Sequence, residues 1–322
     1  MQRRRFLWAG AGILLSPCSA WTQIRSVRIG VLSPRRDSVI LRPVLGRLRE
    51  FGYIEGKNLD VEYRSADGAV ERFPKLAREL VDAKCDLIFA SGSVYPARAL
   101  RDATATIPIV IVAIEYDPIK AGIVASLGRP GANITGVTLS APEVFAKRLE
   151  LLHELLPQAT RFLVFTDSYT NEQFEAMRQT AGRLRVELST YAFGSPPYAF
   201  DPAFDQAEKI GAAGLLLPTA PTFFDRRAVI YETALKRRLP VVVGGSAWWT
   251  GTGWLLGYGV IADHTYARAG DIAASILKGK KPGDIPIEQP SEFEFAINLK
   301  TAKALGITVP QSVMVRASRV VQ

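Results

Sequence analysis

The chain has 322 residues, a formal net charge of +9 and 48% hydrophobic residues. That length supports a large buried core, normally divided into two domains, and the charge is not gathered into the dense Lys/Arg stripe of a nucleic-acid binder. Of the two cysteines, Cys18 falls in an N-terminal leader, so only Cys85 is left and no internal disulfide is expected in the mature chain.

The leader comes first. Arg3, Arg4 and Arg5 precede a mostly apolar run from Leu7 to Leu15, and Cys18-Ser19-Ala20 supplies small residues before a cleavage point. This order is that of a secretory signal, and residues 1–23 are read as one. The apolar run is well short of the roughly 20 residues that a membrane span needs. Arg-Arg-any-Phe-Leu also resembles the twin-arginine export signal. Leu15-Ser16-Pro17-Cys18 resembles a lipoprotein box, with Pro17 a poor fit, so a lipid anchor at Cys18 is the alternative to a free periplasmic protein.

After the leader the chain alternates. Residues 27–32 (V-R-I-G-V-L) form an apolar run of strand length, and Val44, Leu45, Leu48 and Phe51 follow at helical spacing. Residues 59–63 alternate as a strand does. Phe73, Leu76, Ala77, Leu80 and Val81 predict a helix, and 86–90 and 107–114 predict buried strands. Such β-α-β alternation predicts a parallel sheet covered by helices. After a break near Ser140 a second series begins. Strands are predicted at 161–167, 186–192, 213–217 and 240–243, with helices from Asn171, over 202–210 and over 223–236. A strand at 253–260, a helix at 265–277, a strand at 293–298 and a helix at 299–305 complete the chain, too little for a third domain. The fold class is therefore α/β with two Rossmann-like lobes. The expected division is lobe one at 24–139, lobe two at 140–250, a return to lobe one at 251–285 and a return to lobe two at 286–322. The chain would cross between lobes more than once, which makes a hinge.

In open parallel sheets, ligands sit outside the carboxyl ends of the strands. The loops there are rich in hydroxyls, small residues and aromatics: 33–38, 91–95, 115–118, 166–171, 218–222 and 245–249. Thr170 with Gln173, and Ser140 with Glu143, fit capping boxes. Helix N-termini also suit a carboxylate.

The chemistry of most hydrolases is missing. No HExxH, CxxC, GxSxG or Walker A pattern is present. His153 sits among Leu149, Leu152 and Leu156 and reads as a packing or surface residue, and His264 as a helix-start residue. Cys85 reads as an inert, near-buried thiol. The acidic residues are scattered, without a metal-binding cluster, so no cofactor or metal is expected.

With these segments in place the chain resembles a known family. Asp117-Pro118, Ala121-Gly122, and the runs 127–137 (L-G-R-P-G-A-N-I-T-G-V), 51–58 (F-G-Y-I-E-G-K-N), 276–282 (I-L-K-G-K-K-P) and 297–306 (I-N-L-K-T-A-K-A-L-G) carry the resemblance. They are similar to solute-binding proteins of ABC importers in the tryptophan/tyrosine-type group. The resemblance implies a type I periplasmic-binding-protein fold with a three-crossover hinge. It implies a small solute, an aromatic or other amino acid, held between the lobes by loop hydroxyls and an acidic group. The implied partner is an inner-membrane permease, and a monomer is expected. On this sequence the implied positions are Ser91, Gly92, Ser93, Asp117, Asp167, Ser168, Asn171, Thr219 and Ser246. Ser33 joins them from the first strand-end loop. Glu115, Tyr116 and Trp248 depart from the family pattern and bring larger groups to the same loops.

On this reading Asp117 or Asp167 would pair with an ammonium, Ser91 and Ser93 would hold a carboxylate, and Tyr116 or Trp248 would stack. Two other roles share the scaffold: a ligand-sensing subunit for a membrane receptor, and an exported enzyme with Glu115 and Asp117 as its acid–base pair.

Overall fold

The computed structural model describes residues 26–322 except 37, 115, 140–141, 195–196 and 246–252. The expected leader, with its export and lipidation signals, lies outside the described residues, as does Ser140 of the second capping box.

The first lobe is built on β1 (Val27–Ser33), β2 (Leu59–Ser65), β3 (Leu87–Gly92), β4 (Ile109–Ala113) and β5 (Ile134–Thr138). They form a parallel sheet in the order β2-β1-β3-β4-β5. β3 and β4 are buried along their whole length, as central strands covered on both faces must be. Helices α2 (Phe73–Asp82) and α3 (Val94–Ala103) cover one face. In α2, Phe73, Leu76, Ala77 and Leu80 make the buried stripe, and Pro74 sits in the first turn, where its missing N–H costs nothing. The other face is covered by α1 (Ser38–Glu50) and by α9 (Ala262–Leu277), a helix from much later in the chain.

The second lobe has α4 (Pro142–Leu155), β6 (Arg161–Thr166), α5 (Asn171–Leu184), β7 (Glu187–Ala192), α6 (Asp201–Ile210) and β8 (Leu215–Leu216). Then come α7 (Pro221–Asp225), α8 (Arg227–Lys236), β9 (Val241–Val243) and β10 (Leu256–Val260). After α9 the chain adds β11 (Phe293–Asn298), α10 (Leu299–Leu305), α11 (Gln311–Met314) and β12 (Arg319–Val321). The sheet order is β12-β11-β10-β9-β8-β6-β7, and only the β10–β11 pair is antiparallel. The helix expected at 223–236 is two helices, because Arg226 leaves helical geometry at φ −102°, ψ 10°.

The chain passes between lobes three times: after β5, between β10 and α9, and between the Glu288 region and β11. In the last passage Glu288 joins the edge of the first sheet, its carbonyl accepting from Thr138 N–H at 2.9 Å and its own N–H reaching the Gly136 carbonyl at 3.0 Å. The sequence places the return to lobe one at 251. Strand pairing corrects that boundary, since β10 hydrogen-bonds to β9 and β11 and the crossing follows Val260. Apolar strand runs look alike in either sheet, so the residues alone do not assign one. Among the described residues no helix is long and apolar enough to cross a membrane.

Candidate ligand-binding cleft

The carboxyl ends of the two sheets face each other and are in contact. Arg35, in the loop after β1, forms an ion pair with Asp225 at the end of α7, and its guanidinium lies 4.8 Å from the centre of the Phe224 ring. The Tyr95 hydroxyl in α3 donates to the Ser168 carbonyl after β6 at 3.1 Å. The Tyr95 and Tyr169 rings meet edge to face at 5.9 Å. The strand-end loops of both lobes therefore meet across one boundary.

In the first lobe, Ser33 is buried and engaged. Its hydroxyl donates to the Arg35 carbonyl at 2.6 Å and lies 2.9 Å from the Tyr63 hydroxyl. Ser33 thus shapes the turn that presents Arg35 to the other lobe. At the end of β3, Gly92 takes φ +101°, and a β-carbon there would lie 2.9 Å from the Pro34 ring. This turn separates Ser91 from Ser93. Ser93 stands at the N-cap of α3 in extended geometry, yet its side chain makes no capping hydrogen bond. The Ser91 and Ser93 hydroxyl oxygens are both buried with no hydrogen-bond partner among the described residues.

The loop after β4 behaves differently. Tyr116 is buried, and its ring belongs to the apolar layer that also holds Ile123 and Val124. Asp117 is used by its own turn: Oδ1 accepts from the N–H groups of Ile119 at 2.8 Å and Lys120 at 3.2 Å. Lys120 Nζ lies 3.8 Å from Oδ2. Of the two aspartates proposed for an ammonium, this one has its donors already.

Asp167, at the end of β6, is 8% exposed. Oδ1 accepts from Tyr169 N–H at 2.9 Å, whereas Oδ2 is buried and makes no hydrogen bond among the described residues. Burial pushes the Asp167 carboxyl above the ordinary carboxylate range; the hydroxyls of Thr222 and Thr170 and the Tyr169 N–H offset part of that shift. Burial, with the Asp167 charge second, also pushes the Tyr169 phenol upward. Ser168 is exposed and contributes its carbonyl to Tyr95. Asn171 is the first residue of α5.

The capping box expected at Thr170 and Gln173 does not form. Thr170 sits at the N-cap but its hydroxyl donates to the Asp167 carbonyl at 3.1 Å and accepts from Asp167 N–H at 2.9 Å. The Gln173 amide instead holds Thr219, accepting from its N–H at 3.1 Å and donating to its carbonyl at 3.3 Å. Thr219 is thereby fixed to α5. Glu115, Ser246 and Trp248 lie outside the described residues.

Sequence reasoning did not single out Tyr95, Tyr169, Arg35, Phe224 and Asp225, which make the contacts between the lobes. The available signal was their place in strand-end loops, since both tyrosines fall within the segments singled out there. Cys85 is buried, and burial pushes its thiol up to about 11. The same burial keeps it protonated and unreactive.

The sequence profile of the ABC transporter substrate binding protein family matches residues 36–321. The chain is 29% identical over 267 residues to a tyrosine-binding protein of Clostridioides difficile (strain R20291), covering 81% of this chain and 74% of the relative. Its fold is similar to the ABC domain from Streptococcus pneumonia in complex with L-Trp, with a TM-score of 0.79 and 24% identity over 92% of this chain and 100% of that one. It is also similar to the ligand-free, open structure of a substrate binding protein with adhesive properties from Clostridium difficile. There the TM-score is 0.62 with 23% identity, over 92% of this chain and 99% of the other. The two-lobed α/β architecture is that of type I periplasmic binding proteins, and the chain belongs to the ABC transporter substrate-binding family.

Proposed function

We propose that this ABC transporter substrate-binding protein holds an aromatic amino acid, tryptophan or tyrosine, between its lobes and delivers it to a permease from the outer side of the membrane. The observation that carries this reading is the set of buried polar atoms without a protein partner among the described residues at the strand ends of the two lobes. Ser91 and Ser93 come from the first lobe and Asp167 from the second. A buried polar group left unsatisfied costs about 1–3 kcal/mol, so a ligand with both donors and acceptors is the economical partner. Asp167 receives the ammonium, in preference to the already satisfied Asp117. Ser91 and Ser93, with the N–H groups that open α3, receive the carboxylate.

The relatives support the ligand class, one being a tyrosine-binding protein and another holding L-Trp. They also support closure about the hinge. The overlay is better on the L-Trp complex than on the ligand-free, open structure, and contacts between the lobes are already made here. Residues 1–23, read from their sequence as a secretory leader, support work outside the membrane.

A thermal-shift titration of refolded, ligand-stripped protein with L-Trp, L-Tyr and the other amino acids tests the reading. A ligand at 100 times its dissociation constant stabilises by about 2.7 kcal/mol. The expected hits are L-Trp or L-Tyr; a flat response to every amino acid would remove the proposed cargo.

A further inference from the structure

The geometry points to Tyr169 as a specificity-determining residue, its hydroxyl being a second contact, beside Asp167, for the ammonium of the bound amino acid. The inference rests on the amino-acid reading above. Tyr169 belongs to the second lobe, but its ring packs against the apolar layers of both lobes. It lies edge to face on Tyr95, which in turn stacks on Phe73 with ring centres 6.4 Å apart. The backbone is tied to the carboxylate by the N–H bond to Asp167 Oδ1. All of this fixes the ring, and none of it needs the hydroxyl.

The hydroxyl is buried and makes no hydrogen bond among the described residues. Phenylalanine would fill the same space without desolvating an oxygen, so the phenol asks for a partner that the protein does not supply. Asp167 and Tyr169 stand two residues apart in the same strand-end loop, tied by the Tyr169 N–H bond to Asp167 Oδ1 at 2.9 Å. Two neighbouring acceptors, one charged and one neutral, suit a group with several N–H donors and a positive charge. A site built to hydrogen-bond such a group rejects analogues lacking it, because its own polar atoms are then stranded.

The test is calorimetric titration of the wild type and Tyr169→Phe with L-Trp, L-Tyr and indole-3-propionic acid, which keeps the ring and carboxylate of tryptophan but lacks the ammonium. Tyr169→Phe is expected to weaken the amino acids by about tenfold, the worth of a hydrogen bond to a charged group, and to leave the des-amino acid unchanged. The melting temperature without ligand should not fall, since no protein hydrogen bond is lost. A structural role for the hydroxyl, through a bridging water, has the opposite signature: a lower melting temperature and unchanged affinity. That result, or equal losses for the amino acids and the des-amino acid, overturns the proposal. If the wild type binds neither L-Trp nor L-Tyr, the amino-acid reading fails and this inference with it, which is distinct from a wild type that binds and a Tyr169→Phe variant that binds equally well.

Discussion

Two aspartates in strand-end loops, Asp117 and Asp167, have the same chemistry and opposite situations. Asp117 is half-buried and takes two N–H groups of its own turn, while Asp167 is buried with one oxygen left over. Because burial favours the acid form of Asp167, the native state binds its proton more readily than the unfolded chain does. Stability therefore falls as pH rises from the ordinary carboxylate value of 3.8 through the raised one, and the cost persists at neutral pH. Asp167→Asn is expected to raise the ligand-free melting temperature at pH 7, with the gain vanishing below about pH 4. In binding the sign reverses. Losing the carboxylate should cost about 2–3 kcal/mol of affinity for L-Trp, and wild-type affinity should weaken on acidification through the Asp167 range while that of Asp167→Asn stays flat. Titrations between pH 4 and 8 read both effects, and a parallel pH profile in the variant would exclude Asp167 as the ammonium's partner. The sequence presented both aspartates as candidates. It could not rank them, because burial and leftover lone pairs are tertiary facts. It did name Ser91, Ser93 and Asp167, since polar residues at strand ends are conspicuous between apolar runs. Tyr169 escaped because an aromatic in a loop reads as packing unless its hydroxyl is followed to its end.

At the scale of elements, most strands and helices were legible from periodicity, with ends displaced by a few residues. α3 and β5 were not. In α3 the buried positions include Pro96, Ala97 and Ala99, too small to stand out as an apolar stripe. β5 is I-T-G-V-T, buried throughout, but its hydroxyls make it look like a turn; Thr135 satisfies its own by donating to the Ile285 carbonyl at 2.7 Å. Gly136 explains why this strand tolerates no simpler sequence. It takes φ +149°, and a β-carbon would stand 2.0 Å from the Ile111 carbonyl oxygen. Relief would require pushing β4 and β5 apart beside the interlobe crossing. Gly136→Ala is expected to destabilise by about 3 kcal/mol or more, combining steric overlap with backbone strain. Gly128→Ala, whose β-carbon meets nothing within 4 Å, should stay within about 0.5 kcal/mol of wild type. Urea unfolding of the pair measures the difference, and equal midpoints would mean that the strand pair relaxes freely.

At the scale of the whole molecule, described contacts that bring the lobes together lie at the strand ends. Arg35 is the clearest. Ser33 and Tyr63 hold its carbonyl from within lobe one, and its side chain pairs with Asp225 and lies over Phe224 in lobe two. Arg227 lies over the same ring, 4.3 Å from its centre. With Asp225 about half exposed, the ion pair is screened and worth at most about 1 kcal/mol; the ring contact adds about 0.5–1 kcal/mol. Together these would bias the proposed open–closed equilibrium by roughly one and a half powers of ten at most. On the proposed closure, a ligand held by both lobes needs the closed state, so apparent affinity would scale with the fraction that is closed or able to close. Arg35→Ala is therefore expected to weaken L-Trp binding about three- to tenfold without touching the ligand. Asp225→Ala should give part of that loss, and the double variant should lose less than the sum, because the pair shares one interaction. Raising salt should weaken the wild type toward Arg35→Ala and leave the variant little changed. Small-angle scattering without ligand provides the structural counterpart: Arg35→Ala should be more extended than the wild type and reach the same compact dimensions when saturated. Identical scattering and affinity in the two proteins would mean that closure is driven by the ligand alone, and that Arg35 merely rests against a lobe already held in place by the hinge.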